Sequence, residues 1–208
     1  MLKKFFSNLC MATFLLFVVS SRACAAEVVI VLDAPIGTFS EPEKVHELIE
    51  NSLENILGDY RSYEIVPPSE TENYVQLYRE EHDMIFSTGA EENKQTEYYL
   101  KKADVDNICT HFKGKHLIYI RFTSTAPRYV IGHGLLYTSQ KTNVVMDFRV
   151  WSSRKKDFTY MRRLTAKGSS TAVLDVFPST SRSLQKGLKK ILREIEDDEI
   201  KIRVALTE

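Results

Sequence analysis

The chain has 208 residues, of which 43% are hydrophobic and 27% are charged, and its formal net charge is zero. These values are typical of globular proteins and exclude a disordered chain, a collagen-like fibre, a coiled coil and a membrane protein with many spans. The length is sufficient for one folded domain with a sizeable hydrophobic core.

The first 25 residues have the layout of a secretory signal peptide. A basic start at Lys3 precedes an apolar stretch from Leu9 to Val19, and small residues follow it. We therefore predict an exported protein of the periplasm, the cell envelope or the medium, with one mature domain over residues 26–208. A retained anchor and a lipidated Cys24 are the alternatives. The apolar stretch is short for a permanent membrane span, and no aliphatic residue stands three positions before Cys24.

The first elements of the mature chain alternate between strand and helix. The apolar run Val28–Leu32 predicts a central strand that is buried on both faces. Ser40 and Glu43 form a capping box for a helix whose apolar residues recur at helical spacing until Gly58. A short second strand is predicted over Tyr63–Val66, because two prolines follow it.

The middle of the chain is more polar. Residues 70–103 are rich in tyrosine and predict one or two short helices. The next helix is capped by Asp104 and ends before Gly114. It leads into a strand over His116–Phe122, which is rich in β-branched and aromatic residues.

Three strand-like runs follow, over Tyr129–Tyr137, Asn143–Trp151 and Phe158–Thr165. The polar residues Ser139–Lys141 are predicted to form a loop between the first two. Loops this short favour an antiparallel meander.

The chain ends with a predicted helix after Pro178, which has one stripe of leucine and isoleucine, and a predicted strand over Ile200–Leu206. Together the elements predict a mixed α/β (α+β) fold. Its helices pack on a sheet that is parallel at the start and an antiparallel meander toward the end.

The histidine and cysteine spacings match no common chemical site. Cys109 and His111 are two residues apart on a predicted helix, so they cannot form a thiolate–imidazole pair there. Signal cleavage leaves Cys109 as the only cysteine, and no intramolecular disulfide is expected. We therefore predict no catalytic residue, no cofactor and no metal. A small exported hydrolase that uses His133, which lies between two glycines, and Asp147 is the alternative.

Charge is distributed very unevenly along the mature chain. Residues 27–107 carry 19 acidic and 6 basic side chains, whereas residues 108–208 carry 9 acidic and 19 basic ones. Such blocks indicate an internal match, head-to-tail assembly or a basic pole for an anionic partner. In the helix after Pro178, basic residues return to the face opposite the leucines, and cations of the meander would extend their field if the meander lies beside that helix. The candidate surface for an anionic partner consists of Arg149, Arg154, Lys155, Lys156, Arg162, Arg163, Arg182, Lys186, Lys189, Lys190 and Arg193.

The order of elements resembles that of a group of bacterial envelope domains. The features shared are an apolar first strand, a long amphipathic helix, a short strand before prolines, a tyrosine-bearing region and a helix leading into Leu117–Ile120. This layout is similar to the N-terminal domain of TolB and to the related domains of the curli secretion protein CsgG and the penicillin-binding-protein activator LpoB. The resemblance covers residues 27–151. It implies a non-enzymatic adaptor or assembly module in the periplasm and supplies no catalytic residue.

These observations favour an exported, non-enzymatic binding or assembly protein of the bacterial cell envelope with a basic C-terminal half. The expected partner is an anionic envelope component or an acidic protein, and nucleic acid is less favoured. A self-assembling envelope subunit, whose acidic half docks on the basic half of a neighbour, is a further alternative.

Overall fold

Six strands form one sheet in the computed structural model, which describes residues 27–33, 42–58, 63–82, 84, 100–131, 137–173 and 178–208. The strands are β1 (Val28–Asp33), β2 (Ile65–Val66), β3 (His116–Ser124), β4 (Arg128–Ile131), β5 (Tyr137–Ser152) and β6 (Asp157–Val173). The helices of the described residues are α1 (Pro42–Leu57), α2 (Pro68–Glu81), α3 (Lys102–His111), α4 (Thr180–Glu196) and α5 (Glu199–Ala205).

The sheet is parallel on one side and antiparallel on the other. β1 pairs in parallel with β2 and with β3. β5 pairs antiparallel with β3 and β4, which follow each other along one of its edges, and with β6 along the other edge. The predicted mixed α/β fold is therefore confirmed. β1 is a central strand, as predicted, and its first four residues are fully buried.

Helices cover both faces of the sheet. One apolar cluster joins α1, α4 and α5 to alternate strand residues such as Ile30, Ile120 and Phe148. A second cluster joins α2 and α3 to the opposite face, which includes Val31 and Tyr119. The predicted apolar stripe of α4 is confirmed, because its leucines and isoleucines are buried in the first cluster.

The predicted loop at Ser139–Lys141 is wrong, because these residues lie inside β5. Their backbones pair with β4 on one side and with β6 on the other. Gln140 is fully buried, and its side-chain amide Nε2 donates a 2.7 Å hydrogen bond to Thr180 Oγ1 at the start of α4. The polar composition indicated a loop, but pairing with strands on both sides satisfies the backbone.

The predicted final strand over Ile200–Leu206 is also wrong, because most of this segment forms α5. The alternation of Ile200, Ile202 and Val204 fits a strand. The buried residues, however, are Ile202, Ala205 and Leu206, at spacings of three and four from Ile202, while Ile200 and Val204 are exposed. Burial thus follows the helical period.

Helices occur before β3 where the sequence predicts them, but their first and last residues differ from the prediction. α2 has 14 residues and starts directly after Pro67. α3 starts at Lys102, and the Asp104 carboxylate accepts a 2.7 Å hydrogen bond from the Lys101 backbone N–H. Gly114 N–H donates to the Cys109 carbonyl at 2.8 Å after the helix ends.

Several predictions concern residues outside the described ranges. They are the signal peptide at residues 1–25, Ser40 of the capping box, and His133 with its flanking glycines.

Candidate functional site

The eleven residues of the predicted anion-binding surface do not form one continuous surface. α4 packs on one face of the sheet, and strand alternation places Arg149 and Arg163 on the opposite face. Residues 154–156 lie in the turn between β5 and β6. Arg162 shares the face that α4 covers, as shown by its hydrogen bond to the Glu194 carbonyl. The meander therefore does not extend the field of the helix as one patch.

Two of the three cations in the turn are paired with carboxylates of the same chain. Lys155 Nζ lies 2.5 Å from Glu208 Oε2, and Lys156 Nζ lies 2.6 Å from Asp106 Oδ1. Arg154 is exposed. The turn thus presents less uncompensated positive charge than its sequence indicates.

Arg162 takes part in a hydrogen-bond network at Asp198. The guanidinium contacts the Asp198 carboxylate, which also accepts hydrogen bonds from Tyr160 at 2.6 Å and from Lys201 at 2.8 Å. The hydrogen bond from Lys201 has the largest effect, and together with those from Tyr160 and Arg162 it lowers the pKa of Asp198 to about 2. The network joins β6 to the segment between α4 and α5, so Arg162 has a structural role.

A row of alternating charges crosses the sheet on the face opposite α4. Asp33 in β1 is directly opposite Arg121 in β3. Arg121 is opposite Asp147 in β5, and Asp147 is opposite Arg163 in β6. The first three residues are at most 7% exposed, whereas Arg163 is exposed. We call these four residues the charge row.

The charge row has partners within the fold. Arg79 of α2 lies 2.7 Å from the Asp33 carboxylate, and the Tyr119 hydroxyl donates a hydrogen bond to it. Burial, with the Asp33 carboxylate, raises the pKa of Tyr119. Arg163 Nε lies 3.9 Å from Asp147 Oδ1. Because buried charges are costly unless they are paired, the row is best explained as a structural network.

Asp147, the carboxylate of the hydrolase alternative, is therefore in contact with an arginine and lies opposite a second one. Its predicted partner His133 is outside the described residues. On the same face, the Arg149 guanidinium lies 5.6 Å from the ring centroid of Phe158, a cation–π contact that holds this side chain against the sheet.

The five remaining cations of the predicted surface lie on α4. They are Arg182, Lys186, Lys189, Lys190 and Arg193, and all of them are exposed. None of them forms an ion pair with a described residue, and Lys190 donates to the Lys167 carbonyl oxygen at 3.0 Å.

Four of these cations form a line along the helix, which we call the basic stripe. The basic stripe consists of Arg182, Lys186, Lys189 and Arg193. Successive members are four, three and four positions apart, which places all of them within about 60° of arc, opposite the buried leucines. Since Leu188 and Ile191 beneath the stripe have no exposed surface, the core holds the helix in a fixed position.

α1 carries an acidic counterpart that the sequence analysis did not identify. The acidic stripe consists of Glu43, Glu47, Glu50 and Glu54. All four are exposed, none forms an ion pair with a described residue, and their spacing of four, three and four equals that of the basic stripe. The signal was present in the sequence, because the four glutamates lie opposite the apolar positions of a predicted helix.

The two helices are neighbours. Asn55 Nδ2 in α1 lies 3.4 Å from Glu196 Oε1 in α4, and both residues are at the C-terminal ends of their helices. At the same end, Arg203 of α5 donates a 2.6 Å hydrogen bond to the Ile56 carbonyl. Both stripes point away from the sheet, since the apolar faces of α1 and α4 share one core cluster.

Cys109 and His111 are in different environments, which agrees with the sequence analysis. Cys109 is fully buried, and its thiol donates to the Gly114 carbonyl oxygen at 3.2 Å. Burial raises the pKa of this thiol to about 12, so it has little thiolate character. His111 is exposed and stacks on Tyr74 with ring centroids 3.8 Å apart.

A shallow groove of about 330 Å³ lies where β1 and β3 begin. Its charged lining includes Glu27, Lys115, Arg154 and Glu208, so both signs are present. Burial lowers the pKa of His116 in the wall of this groove. The mixed lining gives the groove no preference for a charged ligand.

Within the described ranges, no group of three or more His, Cys, Asp or Glu side chains could hold a metal ion. No described helix has both the length and the apolar character that crossing a bilayer requires.

The chain matches no protein-family model and no curated protein. Three bacterial proteins are among the solved structures to which it is similar. A Helicobacter pylori protein described as a neuraminyllactose-binding hemagglutinin homologue has 7% identity and a TM-score of 0.43, covering 88% of this chain and 91% of that one. A Neisseria meningitidis lipoprotein has 14% identity and a TM-score of 0.35, and the match covers 84% of this chain and 97% of that one. A hypothetical protein from Chlamydia trachomatis has 11% identity and a TM-score of 0.38, and the match covers 84% of this chain and 98% of that one.

None of these three is described as a TolB, CsgG or LpoB protein, so that specific relationship stays a prediction. At these identities and TM-scores the likeness is no evidence of shared function.

Proposed function

We propose that this protein is an exported binding or assembly protein of the bacterial cell envelope and that the basic stripe of α4 binds its anionic partner. One observation carries the proposal. The four cations of the stripe are exposed, aligned and without ion pairs to described residues, whereas Lys155, Lys156, Arg162 and Arg163 of the predicted surface are already close to carboxylates.

The geometry of the stripe suits a partner with repeated negative charge. Its members follow each other at intervals of about one helical turn, close to 5 Å, along a length of about 16 Å. Because α4 is held by a buried apolar face, little conformational freedom of the backbone would be lost on binding. A stripe of like charges attracts anions with a strong dependence on ionic strength, since the Debye length is only about 8 Å at physiological salt.

The test is a charge reversal in the stripe. The variant K186E/K189E/R193E and the parent are applied to heparin and to vesicles that contain anionic lipid, at low and at physiological salt. We expect the parent to be retained at low salt and the variant to elute with neutral controls. The matched control is R128E/K141E/K167E, which changes the net charge equally at three exposed residues of the sheet.

Retention of the control like the parent would show that position, and not net charge, determines binding. If the stripe variant is retained as strongly as the parent, or if the parent is not retained at low salt, α4 does not bind such anions. Vesicles and heparin also distinguish a lipid surface from a soluble polyanion as the ligand.

A further inference from the structure

The two stripes are matched in length and in spacing. Glu43 to Glu54 and Arg182 to Arg193 each span eleven residue steps, which is about 16 Å of helix. Each glutamate therefore has a cation at the equivalent position of the other stripe. A polyanion requires no such match, but a second helix does.

The stripes do not neutralise each other within one molecule. Both face away from the shared core, and no ion pair joins their described residues. The contact of Asn55 with Glu196 places the C-terminal ends of α1 and α4 side by side. Glu54 and Arg193 are then at the same end of the helical layer, within about two residues, or about 3 Å, of equal height.

α1 and α4 also run in the same direction. α1 connects the parallel strands β1 and β2, and such a crossover helix runs antiparallel to its strands. Along α4, Lys190 contacts Lys167 and the Glu194 carbonyl contacts Arg162, so α4 runs antiparallel to β6. The pairing of β1, β3, β5 and β6 makes β6 parallel to β1. An acidic helix and a basic helix therefore lie side by side with their C-terminal ends in register.

Such a surface is self-complementary. Consider a two-fold axis at the exposed surface of the helical layer, midway between α1 and α4 and parallel to both. Rotation by 180° about this axis places α1 of each copy opposite α4 of the other copy, and the facing helices run in the same direction. The contact is formed twice, and the assembly closes as a dimer. We infer that the anionic partner of the basic stripe is the acidic stripe of a second copy of this chain. This inference rests on the proposed function and names its partner.

α5 adds apolar surface to the same layer. Ile200 is 71% exposed and Val204 is 52% exposed, and both lie opposite the buried Ile202. Arg203 of the same helix contacts the C-terminal end of α1. A stable interface normally has an apolar part inside a polar rim, and these two residues provide apolar area beside the stripes.

The test is sedimentation of the full chain over a dilution series at low salt and at about 0.5 M salt, where the Debye length is below about 5 Å. We expect the parent to form a dimer at low salt. Its dissociation constant should be at least about tenfold lower at low salt than at about 0.5 M salt. E47K/E50K/E54K and K186E/K189E/R193E should each be monomers. The control R128E/K141E/K167E should dimerise like the parent.

The outcomes separate this inference from the proposed function. A parent that stays monomeric at low salt, or an α1 variant that dimerises like the parent, would overturn the second copy as partner. The proposed function would still stand if the α1 variant were retained on heparin and the α4 variant were not. If a lysine variant loses its helical circular dichroism, E47Q/E50Q/E54Q replaces it, and dimerisation of that variant like the parent overturns the inference equally.

Discussion

At the scale of single residues, the core depends on side chains with almost no exposed surface. Leu53 in α1 is 1% exposed and belongs to the cluster that joins α1, α4 and α5 to the sheet. We expect Leu53→Ala to lower the free energy of unfolding by about 2–5 kcal/mol, because it removes buried methyl groups and leaves a cavity. Urea unfolding measures this value.

The matched control is Leu77→Ala in α2, where the leucine is 57% exposed and the expected change is within about 0.5 kcal/mol. Equal unfolding midpoints for the two variants would show that α1 is not packed on the sheet as described.

Asp198 makes stability depend on pH in the acidic range. Its pKa is lowered to about 2, so the folded state favours the charged carboxylate. This stabilisation is complete above about pH 4, near the pKa of an unfolded aspartate, and is lost as the pH falls through about 2. We expect Asp198→Asn to lower the free energy of unfolding by about 1–3 kcal/mol at pH 6, with the difference shrinking toward pH 2.

Thermal or urea unfolding between pH 6 and pH 2 tests the effect of Asp198. The control variant is Asp197→Asn, because Asp197 is the exposed neighbour of Asp198. A constant difference between Asp198→Asn and the parent from pH 6 to pH 2 would mean that the network does not stabilise the charged carboxylate.

At the scale of elements, α4 lies unusually close to β6. A Cβ atom on Gly168 would lie 1.7 Å from the Ser183 carbonyl oxygen, and one on Gly187 would lie 2.8 Å from a methyl of Val144. Glycine is therefore required at position 168 for α4 to approach the strand. We expect Gly168→Ala to displace α4 and to lower the free energy of unfolding by about 1–3 kcal/mol, because added atoms in a tightly packed core force such shifts.

Urea unfolding of Gly168→Ala beside Ser169→Ala, whose side chain is exposed, provides the comparison. Equal stability of the two variants would contradict the close approach of helix and strand.

The elements that the sequence predicts correctly are those whose burial pattern is local. β1 is a continuous apolar run, and α4 has a complete helical stripe, so their own residues determine them. Ser139–Lys141 could not be assigned in this way, because their place in β5 depends on pairing with β4 and with the distant end of β6. Ile200–Leu206 alternates like a strand, and only its packing against α1 and the sheet favours the helix.

The same limit applies to the candidate site. The basic stripe is visible in the sequence because it lies on one helix. The side of the sheet on which Arg149 and Arg163 lie depends on which face α4 covers, and that follows from tertiary packing. The pair of Lys156 with Asp106 joins residues 50 positions apart, so no local pattern indicates that this charge is compensated.

At the scale of the whole molecule, the charge asymmetry of the sequence is partly matched inside the fold. Lys115 of the basic half pairs with Glu27 of the acidic half at 2.9 Å, and Lys156 pairs with Asp106 in the same sense at 2.6 Å. These exposed pairs contribute little stability individually. The acidic stripe of α1 and the basic stripe of α4 are aligned charges that form no ion pair with a described residue, and they are therefore available to a partner.

The most direct test of this account is sedimentation of an equimolar mixture of E47K/E50K/E54K and K186E/K189E/R193E at low salt. In the first variant the reversed α1 stripe and the native α4 stripe are both predominantly basic, and in the second variant both are predominantly acidic. Each variant alone should be a monomer, because like charges would face each other across the two-fold axis. The mixture should form a heterodimer, since both contacts then join opposite charges. A mixture that remains monomeric, or a variant that dimerises alone as the parent does, would contradict the account.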